Sequence, residues 1–207
     1  MGDERDMPSW DLELAAEGQG FGAVCGCDEA GAGPLAGRVY AAAVILPNGL
    51  ELAGLDDSKK LSEKQREALY DQIADQAVSW AAAWVEPEEI DRINILNSRI
   101  KAMQMAIDAL KPRAEFALVD GNRDHGNQCA ITVPHMLIVK GDSLSMSIAA
   151  ASIMAKVSRD QYMVGMAGCY PQYEFERHKG YGTKRHYELL RKFGPCPIHR
   201  RSFLKRL

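Results

Sequence analysis

The 207-residue sequence has no apolar run approaching the ~20 residues that a membrane-spanning helix requires. Its opening residues, Met1-Gly-Asp-Glu-Arg-Asp, are charged where a secretory signal would be apolar. These absences argue against membrane association and export, and the expectation is a cytoplasmic protein with a short polar leader over residues 1–20. The five cysteines, at positions 25, 27, 129, 169 and 196, form an odd set without repeated metal-ligand spacing, which argues against a thiolate zinc centre. Cys25 and Cys27 read instead as small buried hydrophobes in a reducing compartment. The five histidines, at 125, 135, 178, 186 and 199, also lack ligand spacing, and none reads as catalytic. There are no internal repeats, low-complexity tracts or obvious interdomain linkers.

What remains is an ordinary globular composition, 46% hydrophobic and 26% charged, in a chain long enough to bury a core without disulfides or structural metal. The net charge of -3 conceals an asymmetry. Residues 177–207 carry ten Lys and Arg against one acid, a net of +9, so residues 1–176 carry -12. A basic tail on an acidic body suits a chain whose tail meets a polyanion while its body holds metal-binding acids; a solvated helix end would look the same.

Periodicity and turn signals divide the chain into alternating strands and helices, the pattern of a layered α/β domain. Strands are expected at 21–27, 39–46, 78–85 and 115–119, the first two forming a hairpin-like start. Helices are expected after the N-cap candidate Ser62, from Pro87 to before Pro112, from Ser143 to about Met166, and over Lys184–Phe193. Ala149, Ala150, Ala151, Ser152 and Ala155 are small enough to let the third of these helices pack closely on a sheet.

Asp28 and Glu29 close the first apolar run and are followed at once by a glycine-rich bend, Ala30-Gly-Ala-Gly-Pro-Leu-Ala-Gly37. Paired carboxylates beside such a bend can offer metal ligands and backbone amides to one phosphodiester. Neighbouring strand residues point to opposite faces, so both acids are expected to serve one site only where the backbone leaves strand geometry, which Gly31 and Gly33 permit. Asp120, at a strand end, and Asp142, at a helix start, fall on the same edge of a layered α/β domain. Four clustered carboxylates need cations or shifted pKa values, and Mg²⁺ or Mn²⁺ suits an all-oxygen set. Singly, Asp120-Gly-Asn could be only a turn and Asp142 only an N-cap.

The segment Gly26-Cys-Asp-Glu-Ala-Gly-Ala-Gly-Pro-Leu-Ala-Gly37 resembles the signature of the type 2 ribonucleases H, specifically the bacterial ribonuclease HII family. Asp57-Ser-Lys-Lys-Leu-Ser-Glu63, Val119-Asp-Gly-Asn122, Lys140-Gly-Asp142, Ser147 through Asp160, His178-Lys-Gly-Tyr-Gly-Thr183 and Gly194 through Phe203 resemble further blocks of that family, in its order. The resemblance implies a ribonuclease H-like fold, with a mixed central sheet flanked by helices over residues 21–170 and a basic helical C-terminal extension over 171–207. It implies a metal-dependent endonuclease that cuts 5′ of ribonucleotides in RNA/DNA hybrids and of single ribonucleotides in duplex DNA, leaving 3′-hydroxyl and 5′-phosphate ends. Asp28, Glu29, Asp120 and Asp142 would be catalytic and hold two Mg²⁺ or Mn²⁺ ions.

By the same resemblance Gly31, Ala32 and Gly33 read the ribonucleotide 2′-hydroxyl, the group that tells RNA from DNA. Tyr181 packs on the adjoining sugar, and Ser58, Lys59 and Lys60 contact phosphate. The family's loop is Gly-Arg-Gly, whereas this chain has Ala32 in the middle, so a guanidinium is missing. Lys179, Lys184 and Arg185 are expected to add nonspecific backbone attraction. Asp56, Asp57 and Asp124 read as structural, and the expected state is a monomer. The rivals are a DNA exonuclease of the same superfamily, whose acid pair is separated by one residue, and a silent module that binds RNA–DNA duplexes through the tail.

Overall fold

In the computed structural model residues 7–55, 58 and 61–204 are described. Strand β1, Val24–Ala30, begins three residues later than the apolar run and continues through both acids. Its neighbour is the reason. Strand β2, Val39–Ile45, pairs with it antiparallel and sets Asp28 opposite Ala42, Glu29 opposite Ala41 and Ala30 opposite Tyr40. That ladder satisfies the backbone groups of the acids and keeps them extended, so the expected departure from strand geometry at Asp28-Glu29 does not occur.

Strand β3, Ser79–Val85, pairs antiparallel with β2, while β4, Phe116–Asp120, and β5, His135–Ile138, join in parallel beyond β1. The order β3-β2-β1-β4-β5 makes a mixed five-stranded sheet. Every residue of β2 is buried, as befits a strand covered on both faces.

Helix α1, Asp11–Glu17, lies within the stretch read as a polar leader. It is anchored by Glu13, whose Oε1 accepts from the Ser145 and Ser147 hydroxyls and from the Ser147 amide. Helix α2, Glu63–Gln76, starts at Ser62 with a reciprocal capping box to Gln65. Helix α3, Pro87–Asp108, has one break that its helical spacing did not reveal: Asn94 sits at φ 67°. Its Oδ1 accepts from the Asn97 amide at 3.1 Å and so caps the second segment.

Helix α4, Met146–Cys169, is capped by Ser145, and Asp142 precedes it in a separate 3-10 turn, Gly141–Ser143. The short α5, Phe175–His178, and the basic α6, Lys184–Phe193, follow, with Gly194 ending α6 at φ 70°. No helix among the described residues is long and apolar enough to cross a membrane.

The two faces of the sheet divide by strand alternation. Cys25, Cys27, Val39 and Ala41 pack with Ile100, Met103 and Ile107 of α3, whereas Ala42 and Val44 pack with α2 and with Ala149, Ala150 and Ile153 of α4. Gly26 sets the depth of α4: a Cβ there would lie 2.0 Å from the Ser147 carbonyl carbon and 2.2 Å from the Ile148 nitrogen. Two residues on along the strand and five along the helix are nearly equal rises, ~7 Å each. Ser152 is thereby carried to Asp28. A third apolar cluster joins Leu35, Ala36 and Met163 to Tyr173, Phe175, Leu189 and Leu190, which fastens the C-terminal helices to the bend after β1.

Candidate active site

The last ladder pair between β1 and β4 is Cys27 with Val119, so β4 stops at Asp120 while β1 runs on. Asp28 and Asp120 therefore meet at one sheet end. Asp28 is 5% exposed. Its Oδ1 accepts from the Glu29 amide at 2.7 Å, and the Ser152 hydroxyl also hydrogen-bonds it. Burial, and then the charges of Glu29 and Asp120, push the Asp28 carboxyl well above its ordinary range.

Glu29 points to the other face, where its Oε1 pairs with Arg99 of α3 at 2.5 Å. Its Oε2 is buried without a hydrogen-bond partner among the described residues. Asp120 Oδ1 accepts from the Gly141 amide at 2.7 Å, which ties the end of β4 to the turn holding the buried Asp142.

Asp28, Glu29 and Asp120 line one cleft of about 260 Å³ with residues 30–33, Ser58, Ser152, Lys156 and Tyr181. Opposite-face side chains share it because the sheet ends there, and the bend bounds it. Asp142 stands in the adjoining turn and is not part of that lining. No three His, Cys, Asp or Glu side chains among the described residues converge into a finished metal cage. The donor set nevertheless fits a hard divalent cation. It is all oxygen, one carboxylate is forced toward its neutral form by burial and by its charged neighbours, and one buried carboxylate oxygen lacks a donor among the described residues.

The bend is built from the inside. Gly31 has φ 92°, and a Cβ on it would collide with the Arg159 side chain at 2.0 Å. Gly33, by contrast, is outside the left-handed region and open above, with nothing within 4 Å of an added Cβ. Arg200, fully buried, donates to the carbonyls of Gly31 at 2.7 Å, Ala32 at 3.1 Å and Gly37 at 2.9 Å. Arg159, also fully buried, donates to the carbonyls of Ala36, Arg38 and Lys179. These guanidiniums keep their charge among backbone dipoles, and burial lowers the pKa of Arg200 to about 9.

Tyr181 is 40% exposed at the cleft, with Lys156 Nζ 5.6 Å and the Arg159 guanidinium 5.4 Å from its ring centroid. Ser58 lines the cleft, but its hydroxyl is hydrogen-bonded to that of Ser152 at 2.8 Å. Lys59 and Lys60, like Asp56 and Asp57, lie outside the described residues. Two of the three expected backbone-attracting bases are engaged with acids: Arg185 pairs with Glu174, and Lys179 lies 3.4 Å from Glu63. Asp124 is held between His125 and His135.

Ser152, Lys156, Arg99, Arg159 and Arg200 were missed as site-forming residues. Ser152 and Lys156 carried a usable signal, an i,i+4 pair on one helix face. The arginines carried none, since a charge that will be buried against carbonyls looks in sequence like a charge in solvent.

Comparison with known proteins points to one family. A family model described as Ribonuclease HII matches residues 25–206. A ribonuclease HII of Idiomarina loihiensis is 54% identical over 186 residues, 89% of this chain and 97% of that protein. One of Ruminiclostridium cellulolyticum is 49% identical over 202 residues, 98% of this chain and 78% of that protein. Among solved structures, the ribonuclease HII of Archaeoglobus fulgidus, determined in a complex with PCNA, superposes with a TM-score of 0.73 at 25% identity, covering 86% of this chain and 93% of that one.

Proposed function

The chain belongs to the ribonuclease HII family, and on that premise we propose that its cleft cuts the phosphodiester 5′ of a ribonucleotide, in RNA/DNA hybrids and at single ribonucleotides in duplex DNA. It is an endonuclease of the ribonuclease H type, metal-dependent and acting on RNA/DNA substrates, as its family is. The observation that carries the finer reading is the joint placement of Asp28, Glu29 and Asp120 in one cleft with the Gly31–Gly33 bend and Tyr181.

Asp28, Glu29, Asp120 and, from the adjoining turn, Asp142 would hold the ions, Mg²⁺ or Mn²⁺ and two in the catalytic complex. Bound there, such ions supply an activated water and offset charge on the leaving 3′ oxygen. The chain's own groups do the positioning. Ser152 and the Glu29 amide fix Asp28, and the Gly141 amide fixes Asp120. Arg99 holds one Glu29 oxygen and leaves the other for an ion.

The bend offers backbone groups to the 2′-hydroxyl, and Arg200 holds that backbone whatever side chain residue 32 carries. Tyr181 presents its ring to the adjoining sugar. Phosphate contacts fall to Lys156 and to the segment of Ser58, Lys59 and Lys60. A cytoplasmic, monomeric protein completes the reading.

The test is cleavage of a labelled DNA duplex containing one ribonucleotide, beside an all-DNA duplex, with Mg²⁺ or chelator and with Asp120→Asn as the blank. Metal-dependent cutting only 5′ of the ribonucleotide is the expected result. Failure to cut either duplex while metal binds would overturn the catalytic reading.

A further inference from the structure

Three histidines that the catalytic reading leaves unused, His178, His186 and His199, are buried together beneath Tyr181. Their partners determine where each proton sits. His186 Nδ1 lies 2.9 Å from the Tyr181 carbonyl, which can only accept, so Nδ1 carries the hydrogen and Nε2 of the neutral ring is bare. His186 Nε2 is 3.0 Å from His199 Nε2, so the hydrogen of that bond belongs to His199. His199 Nδ1 is then bare and accepts from the Cys196 amide at 2.9 Å, with the Cys196 sulfur at 3.1 Å. Were His199 Nδ1 instead to donate to the Cys196 carbonyl at 3.3 Å, two bare nitrogens would face each other and the Cys196 amide would lose its acceptor. His178 stacks on His186 at 4.3 Å, donates from Nε2 to the Tyr173 carbonyl and accepts at Nδ1 from the Gly180 amide. The chain of donors runs one way, from Cys196 to the Tyr181 backbone.

His199 is also the neighbour of Arg200, whose guanidinium grips the carbonyls of Gly31, Ala32 and Gly37. The backbone repeats the link: Arg200 donates its amide to Leu35, Gly37 to Ile198, and Leu35 to Gly180, the residue before Tyr181. Ala36 and His199 form an isolated antiparallel bridge. Gly180 admits the close approach, because a Cβ there would lie 2.5 Å from the Ala36 carbonyl oxygen. Two loops some 150 residues apart in sequence thus meet on one dipeptide.

We propose that His199-Arg200 is the spacer between the two substrate-reading elements, His199 holding the Tyr181 backbone through His186 while Arg200 holds the Gly31–Gly33 bend. His186, His199 and Arg200 are therefore positioning residues for junction preference, the choice of a ribonucleotide followed by deoxyribose over continuous RNA. This rests on the reading of Tyr181 as the sugar-checking residue. A merely structural cluster would, when damaged, lower activity on every substrate alike. A spacer, when damaged, changes the ratio between substrates.

The experiment measures kcat and KM on a duplex with one ribonucleotide and on a long RNA/DNA hybrid, for the wild type, Tyr181→Ala, His199→Phe and His199→Gln. Phe keeps the ring but loses the donor, and Gln restores an amide donor near the lost Nε2. Misplacing a positioning contact typically costs tenfold or more, so His199→Phe is expected to reduce the preference for the single ribonucleotide about tenfold, through KM on that duplex, and His199→Gln to recover most of it. If Tyr181→Ala abolishes the preference while His199→Phe leaves it intact, the spacer is overturned and the Tyr181 reading stands. If Tyr181→Ala itself leaves the preference intact, the Tyr181 reading fails and the spacer falls with it.

Should His199→Phe not fold, ¹⁵N imidazole spectra of the wild type decide. Protonation at His186 Nδ1 and His199 Nε2 is the arrangement required, and the opposite tautomers would overturn the relay.

Discussion

At the scale of single residues, Ala32 is the position where this chain departs from the pattern its bend resembles. Its carbonyl is already held by Arg200 at 3.1 Å, so the position of the bend's backbone does not depend on the side chain. Ala32→Arg is expected to add a charge-assisted phosphate contact and to tighten substrate binding by about 1–2 kcal/mol, read as Kd in a non-cleaving Ca²⁺ buffer; equal affinities would show that the bend cannot use the guanidinium. Asp28 gives a prediction of opposite sign for stability and activity. Its carboxylate is buried against Glu29 and Asp120, so in chelator Asp28→Asn relieves repulsion while its carbonyl oxygen still accepts from the Glu29 amide. The variant should melt higher by about 2–6 °C, lose cleavage, and lose much of the rise in melting temperature that Mg²⁺ gives the wild type. Melting below the wild type in chelator would count against the repulsion.

At the scale of elements, the approach of α4 to β1 decides where the helix lies, and Gly26 sets that approach. Gly26→Ala puts a methyl into the α4 backbone and is expected to cost at least about 3 kcal/mol, the upper end of overpacking penalties, which thermal melting would report as a fall of roughly 6–12 °C. Because α4 carries Ser152 and Lys156, metal binding should weaken in the same variant. Helix α6 and the segment after it give a pH dependence. Burial lowers the pKa of His186 and of His199 from 6.5 to about 4, with the neighbouring histidines contributing in the same direction. The unfolded chain therefore takes up protons on falling pH before the folded chain does, and stability is lost progressively from about pH 6.5 down to about 4. Chemical denaturation at pH 7.5 and 5.5 should show this loss, smaller in His199→Gln than in the wild type. An equal loss in both would assign it to the other buried histidines of the cluster, His178 and His186, whose pKa values burial also lowers.

At the scale of the whole molecule, the C-terminal segment closes the site rather than merely adding charge. Arg200 crosses from the segment after α6 to the bend after β1, and Leu189 and Leu190 bury against Leu35, Ala36 and Met163. Deleting residues 194–207 is expected to lower the melting temperature by several degrees and abolish cleavage of hybrids and of single-ribonucleotide duplexes alike, even at low salt where charge steering is strongest. Recovery of activity by lowering the salt would mean that the segment contributes attraction alone. The basic tail was legible from the sequence as a charge excess. Its structural purpose was not, because Arg185 and Lys179 turn to acids of the fold and Arg200 turns inward.

The sequence by itself determined the alternation of strands and helices, the hairpin start and the Ser62 N-cap, because local periodicity and short-range capping are written in neighbouring residues. It placed the limits of β1 and the start of α4 a few residues off, and it did not show the break at Asn94. Those depend on partners elsewhere: β2 extends β1 through its acids, and Ser145 and Asn94 take caps that their neighbours in space permit. The tertiary structure alone decided that Glu29 faces Arg99, that Asp28 sits beside Asp120, and that the Gly31 and Tyr181 loops meet at His199-Arg200. Each is a contact between residues far apart in the chain, made where burial replaces water with a few fixed dipoles and charges, and such contacts leave no local pattern to read.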